Sequence, residues 1–92
     1  MELEETVEPA EGVVSADIEG GTVLLDLRTE QVYSLHDTAT DVWAYISTGP
    51  KTLPHILHYL NTLFDVSPDM LRHDLNALIG EWHREGLIRM GP

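Results

Sequence analysis

From residue 13 the chain alternates. Val14, Ala16 and Ile18 are separated by Ser15, Asp17 and Glu19, the period of two that turns one face of a strand toward a core. Gly20-Gly21 follows, and a glycine pair between two such runs predicts a tight hairpin, because glycine adopts positive φ without steric cost. Residues 22–27, Thr-Val-Leu-Leu-Asp-Leu, make a second, more apolar strand that belongs at the centre of a sheet. After the polar turn Arg28-Thr29-Glu30, the run Gln31-Val32-Tyr33-Ser34-Leu35 is rich in β-formers. Three short strands on two short turns predict an antiparallel meander whose last member is an edge.

The period then changes to that of helices. Ala39, Val42, Trp43 and Ile46 recur at i, i+3, i+4 and i+7 behind His36 or Asp37 as cap, and Gly49-Pro50 stops the run. Thr52 is the expected N-cap of a second helix, with Pro54 in its first turn and a stripe of Ile56, Leu57, Leu60, Leu63 and Phe64. Ser67-Pro68 opens a third, with Leu71, Leu75, Leu78, Ile79 and Trp82 on one face and Gly86 just past its end. Leu87-Ile88-Arg89-Met90 reads as a short extended tail returning to the core. The fold class is α+β: a three-stranded antiparallel sheet followed by three helices, winged-helix-like in composition.

Composition narrows the function. Ninety-two residues suit one domain. Sixteen acidic against five basic residues leave a net charge of −11, the wrong sign for nonspecific nucleic-acid binding or a polybasic membrane anchor. Glu2, Glu4, Glu5, Glu8 and Glu11 crowd the beginning without a basic residue among them. Residues 1–11 are therefore expected to be a flexible acidic arm, and residues 12–92 the domain. The opening segment is unlike a signal peptide, so a soluble cytoplasmic protein is expected. With no cysteine there is no thiolate nucleophile and no thiolate metal ligand. His55, His58, His73 and His83 lie on helices without an HExxH pattern or an evident third ligand, and no metal or cofactor is expected. Ser15, Ser34, Ser47 and Ser67 fit strand, helix-end and cap positions, and no GxSxG elbow surrounds any of them. No enzyme is read here.

What remains is a surface for an extended chain. The third strand, Gln31 to Leu35, has no later strand to cover its outer edge and carries neither proline nor lysine to protect it. Beside the third helix this edge forms a groove, with an apolar slot near Leu71, Leu75 and Leu78, and Asp74 and Glu81 on its flank to attract a basic guest residue. The alternative is that these leucines are core, the commoner use of an apolar stripe, with the edge covered by the arm or by a second copy.

The runs Leu24-Leu25-Asp26-Leu27-Arg28-Thr29, Val32-Tyr33-Ser34-Leu35 and Thr38-Ala39-Thr40-Asp41-Val42-Trp43, followed by Ser67-Pro68 and Gly86-Leu87-Ile88, resemble the PqqD-like family of peptide-recognition domains over about residues 13–90. The wording Leu-Asp-Leu-Arg-Thr and the chain length resemble, more narrowly, discrete leader-binding proteins of lasso-peptide pathways. The resemblance implies a leader peptide added antiparallel to the third strand at Val32, Tyr33, Ser34 and Leu35, against a helix wall of Leu71, Asp74, Leu75 and Leu78. It also implies a Tyr-x-x-Pro motif in that leader, a separate cysteine leader peptidase and an asparagine-synthetase-like cyclase as partners. His36 stands where the family usually has Asn, which leaves the cap of the first helix open between His36 and Asp37. Two other readings are a PQQ-type chaperone presenting a peptide to a radical enzyme and a winged-helix DNA-binding regulator. The regulator suits poorly a third helix whose Arg72 and Arg84 face Asp69, Asp74, Glu81 and Glu85 in number.

Overall fold

A computed structural model of the chain describes residues 5–91. Its elements are β1 (Thr6–Pro9), β2 (Val13–Ile18), β3 (Gly21–Asp26), β4 (Gln31–Leu35), α1 (Thr38–Ile46), β5 (Lys51–Thr52), α2 (Leu53–Leu63), α3 (Pro68–Arg84) and β6 (Ile88–Gly91). The meander is present as β2-β3-β4, antiparallel throughout, with β3 central. Its first turn is Glu19-Gly20, and only Gly20 uses the left-handed region, at φ 89°. Gly21 is required for a different reason: a Cβ there would collide with the Leu35 carbonyl oxygen.

The flexible arm is not what residues 6–9 form. They are β1, the centre of a second sheet ordered β5-β1-β6, with Thr6↔Gly91 and Pro9↔Ile88 at the ends of one register and Thr6↔Thr52 in the other. Val7 is completely buried, and Glu8 meets the Arg89 guanidinium at 3.1 Å. A four-residue strand carries too little periodicity to be read locally, and its partners lie in the middle and at the far end of the chain. Glu2 and Glu4 of the expected arm lie outside the described residues.

The helix starts follow the expected chemistry at two of three positions. The Thr52 hydroxyl accepts from the His55 N–H at 3.3 Å and the Ser67 hydroxyl from the Met70 N–H at 3.1 Å. At α1, Asp37 is the boundary residue, but its side chain caps nothing, and the His36 ring lies 3.2 Å from the Gly20 carbonyl oxygen instead. Backbone carbonyls of His36 and Asp37 receive the N–H groups of Ala39, Thr40 and Asp41.

The core lies between the inner face of β3-β4 and the three helices. Leu24, Leu35, Val42, Ile46, Ile56, Leu60, Leu71, Leu75 and Ile79 are buried in it, and Trp43 meets Trp82 edge-to-face at 5.3 Å between ring centroids. β2 departs from the half-buried strand its alternation predicts: from Val14 to Ile18 it is exposed on both faces, because no helix covers it.

Val7→Ala lowers stability by about 2 kcal/mol through lost burial and the void left behind. Shortening the chain to begin at Gly12 costs more, since β5 and β6 lose their common partner. Urea unfolding midpoints check both; an arm without structure predicts no change in either.

Candidate peptide-binding groove

The register of β4 decides which of its backbone groups are free. In a two-residue hairpin the closing pair, here Ile18↔Gly21, exchanges hydrogen bonds. The Leu27 N–H continues that ladder to the Gly12 carbonyl at 2.8 Å. Odd-numbered β3 residues therefore bond to β2, and Thr22, Leu24 and Asp26 turn toward β4. Their partners are Leu35, Tyr33 and Gln31. The β3–β4 turn agrees: Glu30, at φ 66°, donates its N–H to the Asp26 carbonyl at 2.6 Å, the bulge in which the next residue, Gln31, opposes Asp26. By alternation, Val32 and Ser34 point their N–H and C=O groups outward. Among the described residues no strand pairs with that edge.

Beside it lies a cavity of about 350 Å³. Tyr33, Ser34, Leu35 and His36 of β4 form one wall, and Leu78, Glu81 and Glu85 of α3 the other. Ala39, Trp82 and Leu87 contribute the remaining lining, and Trp82 and Leu87 are almost wholly buried, which makes the bottom apolar. Tyr33 spans one end. Its hydroxyl donates toward Glu85 Oε1 at 3.1 Å and lies 3.0 Å from Gln31 Oε1. Burial, and then the Glu85 carboxylate, push the phenol above its ordinary value near 10, so it remains a donor at neutral pH.

The walls are held together by one charged clamp. Asp26, 1% exposed, receives the Arg28 Nε and Nη2 hydrogen bonds, both at 3.0 Å, and the Arg28 backbone N–H at 3.0 Å. The same Nη2 donates to the Gly86 carbonyl oxygen at 2.6 Å. The β3–β4 turn is thus tied to the end of α3. Hydrogen bonding by Arg28, opposed by burial, holds the Asp26 carboxyl below its ordinary value of 3.8.

The residues singled out in the sequence separate into three sets. Tyr33, Ser34, Leu35 and Leu78 meet at the cavity, and Glu81, placed on its flank, is there too. Val32 belongs to the same edge through its backbone, while its side chain is 63% exposed on the opposite face. Leu71 and Leu75 are core, 4% and 3% exposed, and Asp74 is exposed one turn before the cavity. The cavity lies against the C-terminal half of α3, nearer the β3–β4 turn than the stripe by itself implies. Reading the sequence missed His36, Ala39, Trp82, Glu85 and Leu87 as lining; His36 was considered only as a cap, and Glu85 was visible only as a charge four residues beyond Glu81. Among the described residues no three His, Asp or Glu side chains are grouped to hold a metal ion, and no helix is long and apolar enough to cross a membrane.

The family described as Coenzyme PQQ synthesis protein D (PqqD) matches residues 21–88. The chain belongs to the PqqD family. No curated protein sequence matches this PqqD-family chain. Two solved structures share its fold. One is TbiB1 in complex with the TbiA(beta) leader peptide, with a TM-score of 0.83 at 23% identity, covering 89% of this chain and 94% of that one. The other is a lasso peptide synthetase B1 complexed with the leader peptide, with a TM-score of 0.79 at 22% identity, covering 90% of this chain and 96% of that one. The matched family segment begins at β3 and ends on β6, so it contains the cavity and both ends of the Asp26–Arg28–Gly86 clamp.

The clamp gives a pH test with a definite sign. A carboxyl whose folded value is depressed stabilises the fold above its unfolded value, and that contribution disappears as pH falls through the folded value. Arg28→Met leaves the Asp26 carboxylate buried without its cation, a penalty that protonation relieves. The variant's Tm should fall well below the parent's at about pH 7, and the gap should narrow below about pH 4. Thermal melts by circular dichroism check this; a gap independent of pH means the clamp is not ionic.

Proposed function

We propose that this protein binds the leader segment of a ribosomally made precursor peptide as an added strand on β4 and presents it to a separate leader peptidase in lasso-peptide maturation. The observation that carries the reading is the outward edge of Val32 and Ser34 beside an apolar-bottomed cavity. An extended guest running antiparallel to β4 satisfies those N–H and C=O groups and places alternate side chains toward Leu78 and Trp82. Support comes from the family, and from two proteins of the same fold, each solved with a leader peptide in place. An aromatic residue of a Tyr-x-x-Pro leader suits the cavity in size and polarity. Its affinity rests on that anchor and the main-chain bonds, and presentation to the peptidase acts by raising local concentration. The role is one of binding rather than catalysis, in the cytoplasm where the precursor is made, with an asparagine-synthetase-like cyclase acting downstream.

The family description favours one second reading, a PQQ-type chaperone that presents its peptide to a radical enzyme. Pull-down with the two candidate partners separates them, since only one of peptidase or radical enzyme is retained by the leader-bound protein. The DNA-binding reading has no support in the net charge of −11.

The edge is tested with proline. Ser34→Pro removes an outward N–H that bonds to no strand in the free protein, so the fold persists while leader binding weakens about tenfold, the net worth of one such bond. Tyr33→Pro instead cuts a bond to β3 and unfolds the sheet. Isothermal titration against synthetic leaders, with circular dichroism on each variant, checks both; full binding by a folded Ser34→Pro protein rejects strand addition.

The slot is tested at α3. Leu78→Asp puts a charge at the half-buried wall and is expected to weaken binding by about 2 kcal/mol while leaving the protein folded. Leu75→Asp places the charge in the core and unfolds it. Loss of folding in both, or of binding in neither, removes Leu78 from the site.

A further inference from the structure

The helix wall of the groove carries two carboxylates and no cation. Glu81 and Glu85 are exposed, one turn apart on α3, and both line the cavity. Among the described residues neither is in an ion pair, whereas Asp26, Asp69 and Glu8 each have an arginine. Tyr33 donates to Glu85 but brings no charge. Filling the groove with an apolar chain would strip solvent from two like charges, while a guest cation at that level would neutralise them.

We infer that the guest peptide carries a Lys or Arg two positions after its apolar anchor, facing Glu81 and Glu85. This rests on strand addition at β4 and specifies which peptides are accepted. The order comes from the direction of the groove. The β3–β4 turn touches the C-terminal end of α3 through Arg28 and Gly86, and Tyr33 reaches Glu85, so β4 runs from the Glu85 end toward the Leu78 end. An antiparallel guest runs the other way, meeting Leu78 first and the carboxylates after it. The spacing comes from the two rises. The midpoint of Glu81 and Glu85 lies five residues beyond Leu78, about 7.5 Å along a helix at about 1.5 Å per residue. Two residues of strand span about 6.8 Å, and they point to the same face. The guest motif is therefore apolar-x-basic, in that order.

The experiment titrates a synthetic leader peptide carrying the apolar-x-Lys motif against the parent protein and Glu81→Lys. It is repeated with a leader copy in which the basic residue of the motif is Glu. The altered leader is expected to bind the parent about tenfold more weakly in low salt, with the difference shrinking as salt screens it. Glu81→Lys leaves the pair with Glu85 at no net charge and should abolish the preference, whereas loss of a merely structural Glu81 weakens both leaders alike. A leader that binds without a basic residue in that position, or a charge reversal without effect on affinity, overturns the inference while leaving strand addition intact. No binding of any leader instead rejects strand addition itself.

Discussion

The Asp26–Arg28–Gly86 clamp is the interaction on which the groove depends. Among the described residues β4 is an edge strand, and its hydrogen bonds to β3 fix its register but not its distance from α3. Arg28 supplies that distance: its guanidinium joins a fully buried carboxylate on β3 to the last carbonyl of the α3 turn. A single planar group with several donors suits this task better than a point charge would. Because the carboxylate is desolvated while the guanidinium is half exposed, loss of Arg28 leaves the buried Asp26 charge without its cation. The chain thus concentrates its least replaceable polar contact at the mouth of its proposed binding site.

The second sheet serves the same end from the opposite side. β6 begins at Ile88, two residues after Gly86, and is anchored by β1, whose Val7 is sealed in the core. That anchoring fixes Leu87 at the base of the cavity and holds the carbonyl that Arg28 grips. Strand β1 contributes to the site by packing, through Val7 and its pairing with β6. Its Glu8 carboxylate is paired with the Arg89 guanidinium of β6 at 3.1 Å.

The free edge survives as a free edge for physical reasons. Val32 and Ser34 face water with their backbone groups, and no residue of β4 blocks approach with a fixed charge. Self-pairing through that edge would bring together two chains of net charge −11, with Glu81 and Glu85 close to the contact. Like-charge repulsion therefore discourages the identical partner while leaving the edge available to a basic one. Leu35 is buried in the core and Tyr33 packs against it, so the inward face of the strand is held by the core.

The meander, the three helices and their caps at Thr52 and Ser67 were legible in the sequence, because period, turn residues and capping hydroxyls are local properties. So was the unfilled edge at Gln31–Leu35, a consequence of strand count and order. Three things were decided only in three dimensions. β1 formed where composition promised an arm, since its partners are β5 in the middle of the chain and β6 at its far end, and no four-residue window reveals them. The apolar stripe of α3 divided into Leu71 and Leu75 inside the core and Leu78 at the cavity, because a stripe of uniform chemistry does not say how far along it the neighbouring strand reaches. The direction in which each β4 residue turns its N–H, inward for Tyr33 and outward for Ser34, was set by the hairpin register, a relation between two strands that neither contains alone.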